Sequence, residues 1–264
     1  MVASTSLLLI AGFLGQGPSP ASEKADGAAA RLDFMKKSVA VYDLRPADDP
    51  KAAYRLLPEP VLRFTNTVGT VTDGTIFLWV DAAGRPAAAV QVFQNTSGNW
   101  YQAFSSLSTA PLSTGRVWNP SRAGVAFKPV PGAPRPADTP ERRMRQMHEL
   151  LKGFGAEMNL ELKTWHTLRP LTKPLARYGK AGTDVVDGAL FAYVLTTDPE
   201  VYLLLEVRAG KGGPEWQFAF APEANAPMRG SWKGKNVWDF PFQDLGSDGG
   251  APYFVWVIPD APRP

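Results

Sequence analysis

The side chains best suited to chemistry are two aspartates, Asp73 and Asp187, each of which precedes a glycine and an apolar run. If both carboxylates faced one cleft, they could act as general acid and general base, provided that their surroundings separated their pKa values. The Asp–Gly pair is also typical of a turn, because Asp bonds nearby amides and Gly adopts a positive φ. We expect turns at both positions, with the catalytic pair as the alternative.

Two arginines, Arg63 and Arg177, alternate with apolar neighbours, as in a strand with one buried face. Either guanidinium could bind an anionic ligand through two parallel hydrogen bonds. More often such an arginine pairs with a carboxylate of its own chain, and Glu206 or Asp187 would serve. An ion pair is therefore the expected role, and a ligand site the alternative.

Two tryptophans, Trp100 and Trp216, occupy matching places in strand-like runs. Exposed indoles there would form a stacking platform for sugars or other flat ligands. Large aromatic side chains also close the cores of small sheets, and the alternation with apolar neighbours favours the core.

Few residues in the sequence could support cofactor or metal chemistry. The chain has no cysteine and only two histidines, His148 and His166, so thiolate sites and disulfides are excluded. Phosphate loops, nucleophile elbows and zinc-binding helix motifs do not occur, and we predict neither a metal nor a cofactor. Lys and Arg number 28 against 25 Asp and Glu, without a long run of one sign, so no nucleic-acid partner is expected.

The candidate residues lie at matching positions of an internal sequence repeat. Residues 55–80 match residues 169–194 without a gap at an offset of 114, and nine of the 26 pairs are identical. Unrelated sequences would share roughly one or two. The match continues at offset 116, where Trp100 pairs with Trp216, and at offset 128, where residues 131–136 pair with 259–264.

Each repeat unit is predicted to be a helix followed by antiparallel strands. Thr139, Pro140 and Glu141 form a typical helix start, and apolar residues then recur every three or four positions up to Met158. Short connections between the following strand-like segments favour a meander. The expected fold class is α+β, with two tandem units at 22–136 and 137–264, each one helix packed on an antiparallel meander sheet.

The first residues resemble an export signal. An apolar run from Leu7 to Leu14 precedes a Gly/Pro/Ser stretch, which predicts a signal peptide over 1–21, cleaved near Ala21. No Lys or Arg precedes the run, so a misplaced start codon or an apolar tail is the alternative. The run is too short to span a bilayer, and we expect no transmembrane segment and an exported protein, periplasmic or extracellular.

Several motifs together resemble a family of uncharacterised bacterial exported proteins. They include Asp187-Gly188-Ala189-Leu190-Phe191-Ala192-Tyr193-Val194, Thr197-Asp198-Pro199-Glu200, Trp216-Gln217 and Trp118-Asn119-Pro120-Ser121. The resemblance covers roughly residues 55–240 and implies export, but no activity.

The sequence thus favours a non-catalytic exported binding or structural protein of the bacterial cell envelope, with a small molecule, a glycan or an envelope protein as ligand. The alternative is a hydrolase or isomerase that uses a carboxylate, Asp187 or Asp73, in a cleft between sheet and helix.

Overall fold

A computed structural model describes residues 20–49, 51–66, 68–180, 182–210, 212–244, 249–259 and 261. The predicted signal peptide lies outside these residues up to position 19, as do positions 260 and 262–264 of the last repeat match. The chain divides into two compact units, Met1–Phe34 and Met35–Pro264. In its described part the first unit consists of residues 20–34 of a helix, and all the strands belong to the second unit.

Two helices and seventeen strands make up the described chain. The helices are α1 (Pro20–Val39) and α2 (Pro140–Leu151). The strands of the first half are β1 (Arg45–Pro46), β2 (Arg55–Leu56), β3 (Leu62–Asn66), β4 (Val71–Val80), β5 (Pro86–Asn95), β6 (Trp100–Ser106), β7 (Leu112–Ser113) and β8 (Lys128–Pro129). Those of the second half are β9 (Phe154–Leu160), β10 (Thr164–Pro170), β11 (Ala176–Tyr178), β12 (Val185–Val194), β13 (Pro199–Arg208), β14 (Glu215–Pro222), β15 (Met228–Trp232), β16 (Lys235–Phe240) and β17 (Tyr253–Val257).

Two large antiparallel sheets contain nearly all of these strands. The first sheet has the order β17-β6-β5-β4-β2, with β3 also paired to β4. The second has the order β16-β15-β9-β10-β12-β13-β14-β8, with β11 also paired to β12, and it curls into a half-barrel. Strands β1 and β7 form a small separate pair.

The predicted α+β class with two helix-on-sheet units is wrong. The chain is mostly β, with 45% of residues in strands and 11% in helices, and the curled sheet has no equivalent in the predicted pair of small meanders. The apolar stripe predicted for the second helix included Phe154 and Met158, but α2 ends at Leu151 and both residues lie in β9.

The error has a physical cause in the apolar spacing. Phe154 and Met158 are four residues apart, which suits one face of a helix and equally one face of a strand. Ala156 between them is buried as well, so the true period is two. Strand β9 then pairs with β10 on one side and with β15 on the other, and this adds the strands that curl the second sheet.

Residues offset by 114 occupy the same register positions in the two sheets. Strand β4 pairs with β5 with irregularities at Val71/Asp73 and Trp79/Val80, and β12 pairs with β13 with irregularities at Val185/Asp187 and Tyr193/Val194. The two irregularities in β4 therefore correspond to the two in β12 at offset 114.

The last strand of each half pairs with the sheet of the other half. Strand β8 joins the second sheet, where Lys128 faces Phe218, and β17 joins the first sheet, where Trp256 faces Gln102. Position 128 corresponds to 256, and position 102 to 218, at the offsets 128 and 116. Both pairings cross the predicted boundary between residues 136 and 137.

The second sheet contributes to two hydrophobic clusters, one on each face. On one face, Tyr202 and Leu204 pack with Ile76 and Leu78 of the first sheet. On the other face, Phe191, Leu203 and Leu205 pack with Met147 and Leu151 of α2. Helix α2 is thus held against the second sheet by its apolar stripe. Within the described chain, neither helix combines the length and the apolar character needed to cross a membrane.

Candidate functional site

A groove of about 770 Å³ lies between α2 and the segment 170–177, which runs from the last residue of β10 into β11. Its walls are mainly apolar, and its volume lies within the range of about 300–1,000 Å³ typical of small-molecule sites. The lining side chains are Met144, His148, Leu151 and Lys152 from the helix and Pro170, Thr172, Lys173, Pro174, Leu175, Ala176 and Arg177 from the segment. We regard this groove as the candidate functional site.

Local sequence explains both walls of the groove. Helix α2 begins as predicted, because the Thr139 hydroxyl accepts a hydrogen bond from the Arg142 amide and Pro140 occupies the first turn. In the opposite wall, Pro170 and Pro174 lack the amide hydrogen that a paired strand uses. Residues 172–174 therefore leave the regular pairing and stand beside the helix, while the amides of Leu171 and Leu175 still donate to the β12 carbonyls of Ala192 and Leu190.

An ion cluster around Asp187 braces these two walls. Asp187, which is 4% exposed, accepts hydrogen bonds from Arg177 (Nε–Oδ1 3.2 Å, Nη2–Oδ2 2.9 Å) and from Arg143 of α2 (Nε–Oδ2 2.8 Å). Arg143 also donates to the carbonyls of Ala137 and Asp138 before the helix. The carboxylate thereby ties the start of α2 to β11 and β12.

Arg177 connects the cluster to the groove. Its Nη2 donates to the Pro140 carbonyl at 2.6 Å, and the hydrogen bond to Asp187 raises its pKa above the ordinary arginine value. Asp187 does not line the groove, whereas Arg177 does. The structure thus places a fixed positive charge, and not a carboxylate, at the groove wall.

The first sheet contains the corresponding pair. Arg63 binds Asp73 through two hydrogen bonds, Nε–Oδ1 of 2.9 Å and Nη2–Oδ2 of 2.6 Å, and Asp73 is 2% exposed. Of the two carboxylates expected as possible partners, Asp187 is the one that pairs with Arg177, and Arg63 pairs with Asp73 in the same geometry. Neither aspartate shares a cleft with the other, because each is bound to the arginine of its own sheet.

The predicted turns at the two Asp–Gly pairs are wrong. Asp73 with Gly74 lies inside β4, and Asp187 with Gly188 lies inside β12. The glycines serve close packing: a Cβ on Gly74 would lie 2.4 Å from the Phe64 ring, and one on Gly188 would lie 2.5 Å from the Tyr178 ring. An aromatic residue of the neighbouring strand covers each glycine.

Trp100 and Trp216 are both 2% exposed, so neither presents a stacking platform to solvent. Trp216 belongs to the cluster beneath α2. The structure therefore brings together Arg63 with Asp73 and Arg177 with Asp187, and it buries the two tryptophans apart from the groove.

A third buried carboxylate, Glu206, was not singled out as a site in the sequence. It is fully buried on β13 and accepts hydrogen bonds from Arg85 (Nε–Oε1 2.8 Å), Tyr178 (3.0 Å) and Arg208 (Nη1–Oε2 3.2 Å). Burial, followed by the negative charge of Glu206, raises the pKa of Tyr178 well above its ordinary value. Both arginines also lie over the Phe127 ring, at 5.2 and 4.8 Å.

A fourth buried carboxyl group, Glu223, has a different environment. It is 2% exposed and accepts a hydrogen bond from Ser105 Oγ, while its Oε1 has no hydrogen-bond partner in the described chain. Its amide donates to the Glu200 carbonyl at 2.8 Å. Burial raises the pKa of Glu223 well above the ordinary value, although Ser105 and Tyr202 oppose that shift.

The groove itself carries positive charge. Every ionisable side chain that lines it is a base or a histidine. Lys152 pairs with Glu149 at 2.8 Å, while Lys173 has no acidic partner among the described residues. His148 Nε2 lies 3.1 Å from the Thr172 carbonyl and links the two walls.

Comparison with protein-family models, with curated proteins and with solved structures returned no match. No group of three or more metal-ligating side chains is assembled in the described ranges.

Sequence reasoning missed the groove and Arg143, although signals for both were present. Pro170 and Pro174 bracket a short apolar and basic segment that cannot continue a strand. Arg143 lies three residues after Pro140 on the helix face next to Met144 and Met147, and a buried arginine requires a carboxylate. A search for that partner leads to Asp187.

Proposed function

We propose that this protein is a non-catalytic binding protein, exported from a bacterial cell, whose groove beside α2 holds an elongated apolar ligand bearing an acidic group. The observation that carries the proposal is the groove itself: about 770 Å³, apolar walls, and ionisable lining groups that are all basic or histidine. An apolar chain would replace water along the walls, and its acid would lie near Lys173.

The brace around Asp187 supports binding over catalysis. Both carboxylate oxygens of Asp187 accept hydrogen bonds from arginines, so neither is free to take a proton from a substrate. The alternative of a hydrolase or isomerase that uses this carboxylate gains no support from that geometry. A rigid frame does favour a preformed site, because less ordering entropy is lost on binding.

The proposed location outside the cytoplasm rests on the sequence. The apolar run at Leu7–Leu14 and the small residues after it suit an export signal. The resemblance to exported bacterial proteins agrees with this location.

We further infer that the two sheets are copies of one ancestral unit, now with exchanged last strands. The support is threefold: identity at offset 114, the same pairing irregularities at corresponding positions, and an Arg–Asp pair beside an aromatic-covered glycine in each copy. In the described chain, only the second copy carries β9, β15, β16 and the first part of β10; the end of β10, Arg169–Pro170, pairs with β12 as its counterpart β2 pairs with β4.

The function is tested with a dansyl-labelled undecanoic acid and its uncharged methyl ester as probes. We expect saturable binding of the acid, detected by dansyl fluorescence. Changing Thr172→Trp fills the groove and should weaken binding about tenfold. The matched control Thr164→Trp adds the same side chain on exposed β10 and should change nothing.

The basic rim is tested separately. Lys173→Ala should weaken binding of the acid about two- to fivefold, as expected for an exposed ion pair, and should leave the ester unaffected. Lys173→Arg keeps the charge and should retain affinity. Equal binding of both probes to every variant would rule the groove out as a site for acidic ligands.

A further inference from the structure

A second concave surface lies on the four-stranded extension of the second sheet, away from the groove. It is a hollow of about 430 Å³ across β9, β10 and β15, and its polar lining groups are Glu157, Thr167, Arg229 and Ser231, with Asn236 of β16 at the edge. We name these five residues the polar hollow. None of them belongs to the hydrophobic cluster beneath α2.

Strand alternation explains why these side chains share one face. Ala156 and Met158 of β9 point into the core, so Gly155 and Glu157 point the other way. The register places Glu157 between Thr167 on one neighbouring strand and Arg229 on the other. A polar row therefore crosses three adjacent strands.

The hollow exists partly because Gly155 of β9 has no side chain to fill it. A Cβ on Gly155 would lie 2.8 Å from Ser231 Oγ, so the serine hydroxyl occupies space that any larger residue would need.

The charges of the hollow balance. Arg229 Nε donates to Glu157 Oε2 at 2.7 Å, and the two side chains are about 40% and 37% exposed. In the described chain, the second oxygen of Glu157, the two Nη groups of Arg229 and the hydroxyls of Thr167 and Ser231 have no protein partner. The hollow thus offers both donors and acceptors without net charge.

An aromatic ring completes the surface. Trp165 lies two residues before Thr167 on the same face of β10, is 38% exposed, and holds the Arg229 guanidinium 4.1 Å from its ring centre. The arginine fixes the ring by a cation–π contact and leaves part of the indole open to solvent.

We propose that the polar hollow, with Trp165, binds a neutral sugar ring. A sugar has apolar C–H faces for the indole and several hydroxyls that donate and accept together, which matches the mixed groups of the hollow. A charged ligand gains little, because Glu157 and Arg229 neutralise each other. This site is separate from the groove beside α2, and its ligand chemistry is different.

The experiment is an NMR titration of ¹⁵N-tryptophan-labelled protein with neutral oligosaccharides of glucose, galactose, mannose and N-acetylglucosamine, and with trigalacturonate as the charged comparison. The indole signal absent from Trp165→Phe identifies Trp165. We expect a neutral sugar to shift that signal saturably, and Trp165→Ala to weaken binding about tenfold or more. Thr164→Ala, on the opposite face of β10, should bind like the parent.

A thermal melt shows whether Trp165→Ala remains folded, and Glu157→Gln, which keeps the shape but not the charge, provides a second weakened variant. The proposal is overturned if no neutral sugar shifts the Trp165 signal at roughly 10 mM, well above a weak millimolar Kd. It is equally overturned if Trp165→Ala binds normally, or if trigalacturonate binds better than every neutral sugar.

Discussion

Along the face of β13 that packs on the first sheet, Glu206 lies towards one end and Glu200 towards the other, next to Glu223. At the Glu206 end, two arginines and Tyr178 bond the buried carboxylate. At the Glu223 end, none of the described ion pairs includes either glutamate. Strand β13 thus carries Glu206, which is paired with arginines, and Glu200, which with the adjacent Glu223 has no described cationic partner.

The two ends differ in how the lost hydration of the buried carboxyl group is replaced. A paired carboxylate can stay ionised in the interior, because the guanidinium replaces the lost hydration. An unpaired one is more stable in its protonated form, and burial accordingly raises the pKa of Glu223 and of Glu200. A rise in pH towards neutrality should therefore destabilise the Glu223 end.

The largest effect is expected from breaking the compensated end. Arg85→Met removes the nearer cation of a fully buried carboxylate and should lower the free energy of unfolding by about 3–5 kcal/mol. Urea unfolding followed by circular dichroism measures this. Adding Glu206→Gln to the same chain should recover part of the loss, and a double variant no better than the single one would contradict the pairing.

The same rule extends to the arginine-bound carboxylate behind the groove. Asp187→Asn removes the charge that compensates Arg143, whose side chain is 10% exposed, and should cost about 2–4 kcal/mol. The neighbouring Asp184→Asn, an exposed site, serves as control and should be silent in the same urea experiment. Unchanged stability in Asp187→Asn would mean that the brace contributes nothing.

The uncompensated end should respond in the opposite direction. Because the folded pKa of Glu223 lies above the unfolded value, its contribution to stability is complete below the unfolded pKa and is lost as pH rises towards the folded pKa. Glu223→Gln should reduce that loss and raise stability at pH 7 by about 1–3 kcal/mol. Melting curves between pH 4 and pH 8 test it, with Glu161→Gln in an exposed turn as control; a parent-like pH profile in Glu223→Gln would count against the assignment.

The smallest expected effect compares the contributions of Arg208 and Arg85 to the stability of the buried Glu206 carboxylate. Arg208 contacts Glu206 at 3.2 Å and is 25% exposed, against 13% for Arg85. Arg208→Met should therefore cost only about 0.5–1 kcal/mol, since water can replace part of the contact. A loss as large as that of Arg85→Met would show that the two arginines act as a unit.

Local patterns predicted the parts of the fold that depend on neighbours in sequence. The start of α2 follows from Thr139 and Pro140, and an ion pair at Arg177 was expected, with Asp187 as one of two possible partners. The curled extension was missed, because Phe154 and Met158 fit both a helix and a strand, and pairing of β9 with β15 depends on residues far along the chain. Spacing alone does not encode such contacts.

The candidate site was predictable only in part. A segment bounded by Pro170 and Pro174 indicates a departure from the sheet, but not which helix lies opposite. The Glu206 network joins Arg85, in the turn between β4 and β5 of the first sheet, with Tyr178 of the second sheet, so its existence required the packing of the two sheets on one another.

The reciprocal placement of β8 and β17 has a consequence for how the chain is made. The first sheet receives β17 only after the strands from β7 to β16 have been synthesised, so its β6 edge stays open until then. Such long-range closure raises the contact order and slows folding, and an unpaired edge invites aggregation. We therefore expect the nascent protein to be most prone to aggregation before β17 emerges.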